Sequence, residues 1–181
     1  MQNHPQTLKK IITQLFFIVF ICFTLTDCGF HLRGDEMIPP QMRVLYLASP
    51  NPYDPFIVQL RNSMKSKKIV ITDTPQQALL TLQILNVAFN QRLTSMSANT
   101  QVRTYVLSYD VSFQLINAHG QVIYGPIIVE SSMSYNTSDT QLLGDTQQLN
   151  MKKKQMLQDI VVKIFDRINS EQGRQALQQV L

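Results

Sequence analysis

The sequence predicts a layered α+β domain, and three observations carry that prediction. A strand, a helix and a second strand follow one another across residues 42–72. Three longer strands occupy 78–135, and a long helix with one apolar stripe spans about 146–171.

Val44, Leu45, Tyr46 and Leu47 form a β-favouring run, so the first strand is expected over 42–47. The turn cluster Ser49-Pro50-Asn51-Pro52-Tyr53-Asp54-Pro55 then launches a helix. Asp54 can accept a hydrogen bond from an unpaired helix N–H, and Pro55 suits the first helical position. Phe56, Ile57, Leu60 and Met64 recur at spacings of three and four, which carries the helix to about Ser66. Lys65, Lys67 and Lys68 complement the negative end of its dipole, and such a charge run is more often a solvated cap than a phosphate site. Residues 69–72 make a short strand, and such a crossover joins parallel strands with a right-handed turn.

Residues 78–92 read as a long strand whose apolar set changes phase. Leu80, Leu82 and Ile84 share one parity, while Leu85, Val87 and Phe89 share the other. Alternate residues point to opposite faces, so the switch predicts a bulge near Ile84 and Leu85, or burial of both faces there. Residues 93–100 are expected to form a Ser-, Asn- and Thr-rich loop. Clean alternation returns over 104–115, with Tyr105, Leu107, Tyr109, Val111, Phe113 and Leu115 on the core face. Asn117-Ala118-His119-Gly120 reverses the chain, and residues 121–135 form the hairpin partner. Gly125-Pro126 interrupts that partner and predicts a bulge or an edge position. A second polar connection is expected over 136–145.

The closing helix places Leu149, Met156, Leu157, Ile160, Val161, Ile164, Phe165 and Ile168 on one stripe, which suits packing on a sheet. Gly173 offers a stop, leaving 176–181 as a frayed extension. At the other end of the chain, Lys9 and Lys10 precede an apolar stretch over 11–25. That stretch is shorter than the roughly 20 residues that span a bilayer, and fits an export signal.

Cys28 follows the apolar stretch. Its thiol can form a thioether to a diacylglyceryl group, after which cleavage before it would free an amine for further acylation. Asp27 departs from the Gly, Ala or Ser usual at that position, and an uncleaved N-terminal anchor is the alternative. Both readings deliver the same domain across the inner membrane. Cys22 lies inside the apolar stretch, so cleavage would leave no internal disulfide, and the domain must rest on its hydrophobic core.

The chain carries 16 basic and 12 acidic residues, a formal charge of +4. That weak balance, without a concentrated basic face, argues against a nucleic-acid partner. His4, His31 and His119 are too scattered for a metal site, and neither a glycine-flanked serine nor a phosphate-cradling glycine loop is present. Asp110 and Glu130 fall near opposite positions of the predicted hairpin, which keeps a hydrolase with an Asp/Glu pair as an alternative. A periplasmic ligand-binding module is another. Arg92, Arg103 and the Lys152-Lys153-Lys154 run are candidates for anionic head groups. The two arginines flank the serine-rich loop and could project side by side, whereas the lysines fit the polar side of the long helix.

The segment Cys28-Gly29-Phe30-His31-Leu32-Arg33-Gly34 resembles the start of mature lipopolysaccharide-assembly lipoproteins of Gram-negative outer membranes, the LptE or rare lipoprotein B family. The resemblance continues through Met42-Arg43-Val44 and Leu60-Arg61-Asn62 to about Ser170. It implies a two-layer α+β sandwich: a mixed β-sheet of four or five segments with two helices packed on one face. The corresponding division is a lipoprotein signal over 1–27, a lipidated tether over 28–40, an LptE-like domain over 41–172 and a C-terminal extension over 173–181. The implied protein is not an enzyme and needs no cofactor. It is lipid-anchored through Cys28 on the periplasmic side of the outer membrane, where Gly29 is not the aspartate that retains lipoproteins in the inner membrane. Its implied partners are lipopolysaccharide and the LptD outer-membrane β-barrel, which it plugs and helps assemble. Relatives are proposed to contact lipopolysaccharide through basic residues before the central strand and near the start of the last helix. Here Ser95 to Asn99 carries no basic residue, and Leu142-Leu143-Gly144-Asp145 has glycine where lysine is wanted, so Arg92, Arg103 and Lys152 are the nearby substitutes.

Overall fold

The computed structural model describes residues 38–97, 102–138 and 142–180. The stretch expected to be an export signal, 28–37 of the expected tether, Cys22, Cys28, His4, His31 and Asp27 lie outside the described residues, as do 98–100 of the expected loop. The domain is built on a five-stranded mixed sheet of spatial order β2-β1-β3-β4-β5. Its helices cover one face, giving the expected α+β sandwich, with a third short helix added.

A 3₁₀ turn, Pro40–Met42, buries Met42 and leads into β1, Val44–Ala48. Asp54 caps α1, Pro55–Ser66, as its side chain suggests: its Oδ1 accepts from the Phe56 N–H at 2.8 Å, and Pro55 opens the helix. Phe56, Ile57, Leu60 and Met64 are all buried. At the other end Lys68 takes a left-handed φ of 61°, the Lys68 N–H donates to the Lys65 carbonyl, and the Ile69 N–H donates to the Met64 carbonyl. This closure satisfies carbonyls that the helix leaves over, with lysine in a position glycine normally fills. β2, Val70–Thr72, then lies parallel to β1, with Leu45 opposite Ile71.

β3, Leu80–Met96, runs parallel to β1 on its other side and antiparallel to β4, Val102–Asn117. The expected bulge is present: the register passes from Ile84↔Phe113 to Asn86↔Ser112, leaving Leu85 as the extra residue. Before it Leu80, Leu82 and Ile84 are buried; after it Val87 and Phe89 pack against the core. β3 also outlasts the expected strand. Residues assigned to a loop from Leu93 onward remain paired as far as Met96, after a second register shift between Leu93 and Ser95. The Thr94 hydroxyl donates to the Thr104 carbonyl at 3.1 Å across that shift.

Along β4, Leu107, Tyr109, Val111, Phe113 and Leu115 are buried and their neighbours are not. Asn117 organises the turn after β4, its Oδ1 accepting from the N–H groups of His119 and Gln121 at 3.0 and 2.9 Å. Gly120 there has a φ of +79°. β5, Val122–Ser138, is longer than expected and forms the outer strand of the sheet. Its irregularity falls where Gly125-Pro126 predicts one, with register shifts around Leu115 and Gly125 at a φ of +105°. A side chain at Gly125 would collide with the β4 backbone at Phe113 and Gln114.

Helix α2 runs Leu142–Ile168, so most of the polar connection expected over 136–145 is instead strand or helix. Met156, Ile160, Val161, Ile164, Phe165 and Ile168 are buried on its sheet-facing stripe. Gly173 does not stop this helix. The chain breaks after Ile168 and restarts at Ser170, whose hydroxyl caps α3, Glu171–Gln178, through the Gly173 N–H. Gly173 lies inside α3, where an added Cβ would strike the Ile168 carbonyl. The segment expected to fray thus sends Ala176 and Leu177 into the buried interior. Among the described residues, no helix is long and apolar enough to cross a membrane.

Candidate functional site

The sheet face away from the helices is polar along its middle strands. Gln83 on β3 and Gln114 on β4 lie opposite one another, and the Gln114 Nε2 donates to the Gln83 Oε1 at 2.7 Å. Asp110 and Glu130 are register partners on this face, as the hairpin arithmetic expects. They sit on a sheet surface where Asp110 is half-buried and Glu130 exposed, which supplies no environment to separate an acid from a base. Among the described residues no group of three or more His, Cys, Asp or Glu side chains could hold a metal ion. His119 is exposed at its turn.

The two candidate arginines do not project side by side. Arg92 is opposite Val106, and Arg103 is opposite Met96. Because β4 alternates strictly between Arg103 and Val106, the arginines leave opposite faces: Arg92 on the open face, Arg103 on the face that carries the helices. The bulge at Leu85 sets this phase, because without it Arg92 would lie opposite Tyr105 on the face of Arg103. Arg92 is exposed, and Arg103 is half-buried with contacts of its own in the fold.

Lys152 is half-buried on α2, and so is Lys153. The Lys153 Nζ lies 4.5 Å from the centroid of the Phe89 ring, a cation–π contact that turns it toward the sheet rather than solvent. Phe89 packs in turn on Tyr109, with ring centroids 5.5 Å apart. Burial, and then the charge of Asp54, raise the Tyr109 hydroxyl above its ordinary value of 10.0.

A polar cluster that pattern reading missed ties α2 to the outer strand. The Ser131 hydroxyl donates to the Asp159 Oδ2 at 2.7 Å, Lys163 pairs with the same oxygen at 2.8 Å, and the Lys163 Nζ also donates to the Glu130 carbonyl at 2.7 Å. Burial opposes ionisation of Asp159, yet the bonds from Lys163 and Ser131 and the lysine charge outweigh it and lower the carboxyl below 3.8. The i,i+4 spacing of Asp159 and Lys163 was visible in the sequence; the cross-element partner Ser131 was not.

The described residues thus form an α+β sandwich with helices on one face of a mixed sheet. Comparison with known proteins makes the assignment specific. Residues 42–168 match the family model described as LptE, Lipopolysaccharide-assembly, and the chain belongs to that family. It is 32% identical over 90 residues to the LPS-assembly lipoprotein LptE of Yersinia enterocolitica, a match covering 49% of this chain and 44% of that protein. The LptE of Pectobacterium atrosepticum is 23% identical over 155 residues, covering 83% and 84% of the two chains. Among the first relatives the matched part is short, 44% of the Yersinia protein and 61% of the Photorhabdus laumondii one. Two solved structures share the fold. Lipoprotein B of Nitrosomonas europaea superimposes with a TM-score of 0.60 at 20% identity, covering 70% of this chain and 85% of that one. The rare lipoprotein B of Shewanella oneidensis gives 0.59 at 18%, covering 69% and 92%.

Proposed function

We propose that this chain is a lipid-anchored, non-catalytic subunit on the periplasmic side of the outer membrane. In this reading it plugs and helps build the LptD β-barrel translocon and assists lipopolysaccharide delivery to the outer leaflet. The observation that carries the proposal is the family match over residues 42–168, which spans nearly the whole sheet and α2. The Cys28-Gly29-Phe30-His31-Leu32-Arg33-Gly34 segment supports it from outside that span.

Attachment rests on Cys28. Each buried acyl methylene contributes roughly 0.8 kcal/mol, so one chain holds marginally and several hold firmly. Mass spectrometry of the mature N-terminus should find an acylated Cys28, and an intact Met1 would overturn the anchor. Co-purification with a large β-barrel after detergent extraction is the expected outcome for the partner, and recovery as a soluble monomer would sink it.

Arg92, Arg103 and Lys152 are the proposed lipopolysaccharide contacts. Their arrangement on two faces makes single variants informative. Loss of lipopolysaccharide binding in Arg92→Ala alone would assign the open face, and loss in Arg103→Ala or Lys152→Ala would assign the helix side. Wild-type binding in the combined variant would remove all three residues from the role.

A further inference from the structure

Strand β1 outruns its neighbour. The β1–β2 pairing ends at Tyr46↔Thr72, so among the described residues β1 continues past it without a partner on that side. A crevice of about 500 Å³ opens there, lined among others by Leu47, Ser49, Arg61, Lys65, Thr72 and Asp73. It lies at the carboxyl ends of two parallel strands, where α/β sheets commonly leave room for ligands.

The cations in this crevice differ from three that the fold engages elsewhere. Lys163 is engaged by Asp159 and the Glu130 carbonyl, Lys153 by the Phe89 ring, and Lys67 by the Phe165 ring. Among the described residues, by contrast, no hydrogen bond, ion pair or ring contact engages the side chain of Arg61 or Lys65. The two are four residues apart on α1, on one face one turn from each other. Arg61 is half-buried, so its charge is partly withdrawn from water without a counter-charge. Asp73 is the one carboxylate in the lining, and no ion pair joins it to either cation.

We propose that this crevice is a binding site for a phosphate-bearing anion, with the Arg61 guanidinium holding two oxygens and the Lys65 ammonium a third. A carboxylate has only two oxygens, which the arginine fork would satisfy alone. A tetrahedral phosphate uses both the fork and the point charge. Asp73 weakens the site and keeps binding reversible. The inference does not depend on the barrel and lipopolysaccharide reading, because it uses none of Arg92, Arg103 or Lys152.

The test is an amide NMR titration of the full chain in neutral detergent micelles at constant ionic strength. Inorganic phosphate, short-chain phosphatidic acid and acetate form separate arms. Saturable shifts at Leu47, Ser49, Arg61, Lys65 and Thr72 are expected with phosphate groups. Saturation by inorganic phosphate points to a free anion, and saturation by phosphatidic acid alone points to a lipid headgroup. The Arg61→Gln/Lys65→Gln variant should lose the shifts by at least about tenfold in affinity, and Asp73→Asn should tighten binding several-fold. Should the double variant fail to fold, Lys65→Gln at its exposed position carries the same expectation with a smaller loss. Absence of shifts in both phosphate arms, equal shifts with acetate, binding retained in a folded charge-neutral variant, or weaker binding in Asp73→Asn would each overturn the proposal.

Discussion

The β3–β4–β5 ladder is continuous, yet its two halves are stabilised differently. On the near side of the Leu85 bulge, Leu80, Leu82, Ile84, Phe113 and Leu115 are all but fully buried in the main core. Beyond the bulge, burial in β3 declines until Arg92, Leu93 and Met96 are exposed. Through β4 and β5 the far half still buries Leu107, Val111, Val129 and Tyr135, while its β3 segment is held by strand pairing and the Lys153–Phe89–Tyr109 stack, and β5 by the Ser131–Asp159–Lys163 cluster. The contrast therefore lies in β3, whose near segment is buried and whose outer end in the far half can change its surface at less cost to the fold. Arg92 and Arg103 both sit in that far half.

Truncation series can break this contrast. Phe113→Ala should cost about 3–5 kcal/mol in denaturant unfolding, because it empties a fully buried site. Phe89→Ala, on the far side of the bulge and only half-buried, should cost about 1–2 kcal/mol. Equal losses would mean that β3 is held as tightly beyond the bulge as β4 is before it. Removing the cation above that ring with Lys153→Ala should lower stability by about 0.5–1 kcal/mol, and Lys153→Arg should largely restore it.

Asp159→Asn tests the clasp on the outer strand. The folded carboxyl is lowered below its unfolded value, so its contribution is present above the unfolded value and disappears as pH falls through the folded one. The variant should thus lose less than about 1 kcal/mol at pH 7, since the pair is well exposed. That difference from wild type should vanish in the acid range below about pH 4. A deficit persisting at low pH would mean that lost packing, not charge, is responsible. Smallest of all, Arg92→Ala should leave the unfolding midpoint within about 0.5 kcal/mol of wild type, so any loss of lipopolysaccharide binding in that variant would be a surface effect.

Much of the near half was legible in the sequence because strong periodicity and local chemistry agreed. The strict alternation of β4, the phase change at Ile84 and Leu85, and the Asp54-Pro55 helix start each translate directly into structure. The far half was less legible. Residues 91–96 have little apolar alternation, and pairing with β4 rather than a buried face keeps them extended. Opposite projection of Arg92 and Arg103 follows from the Leu85 bulge, but reading it needs the pairing register with β4 as well as the strand's own pattern. Gly173 was misread for a different reason: glycine stops helices where a left-handed residue is needed, but here it permits close approach of α3 to the end of α2. The Arg61–Lys65 crevice needed tertiary information, since strand length decides where β1 loses its neighbour.

The Lys163 clasp has a consequence for how copies of the chain behave in a crowd. Among the described residues β5, a 17-residue strand, has no partner on its outer side, a shape that invites edge-to-edge polymerisation. At its middle, an ammonium group already occupies the Glu130 carbonyl while held by Asp159. A charged, doubly held lysine at mid-strand is the kind of feature that makes an edge a poor template for another strand.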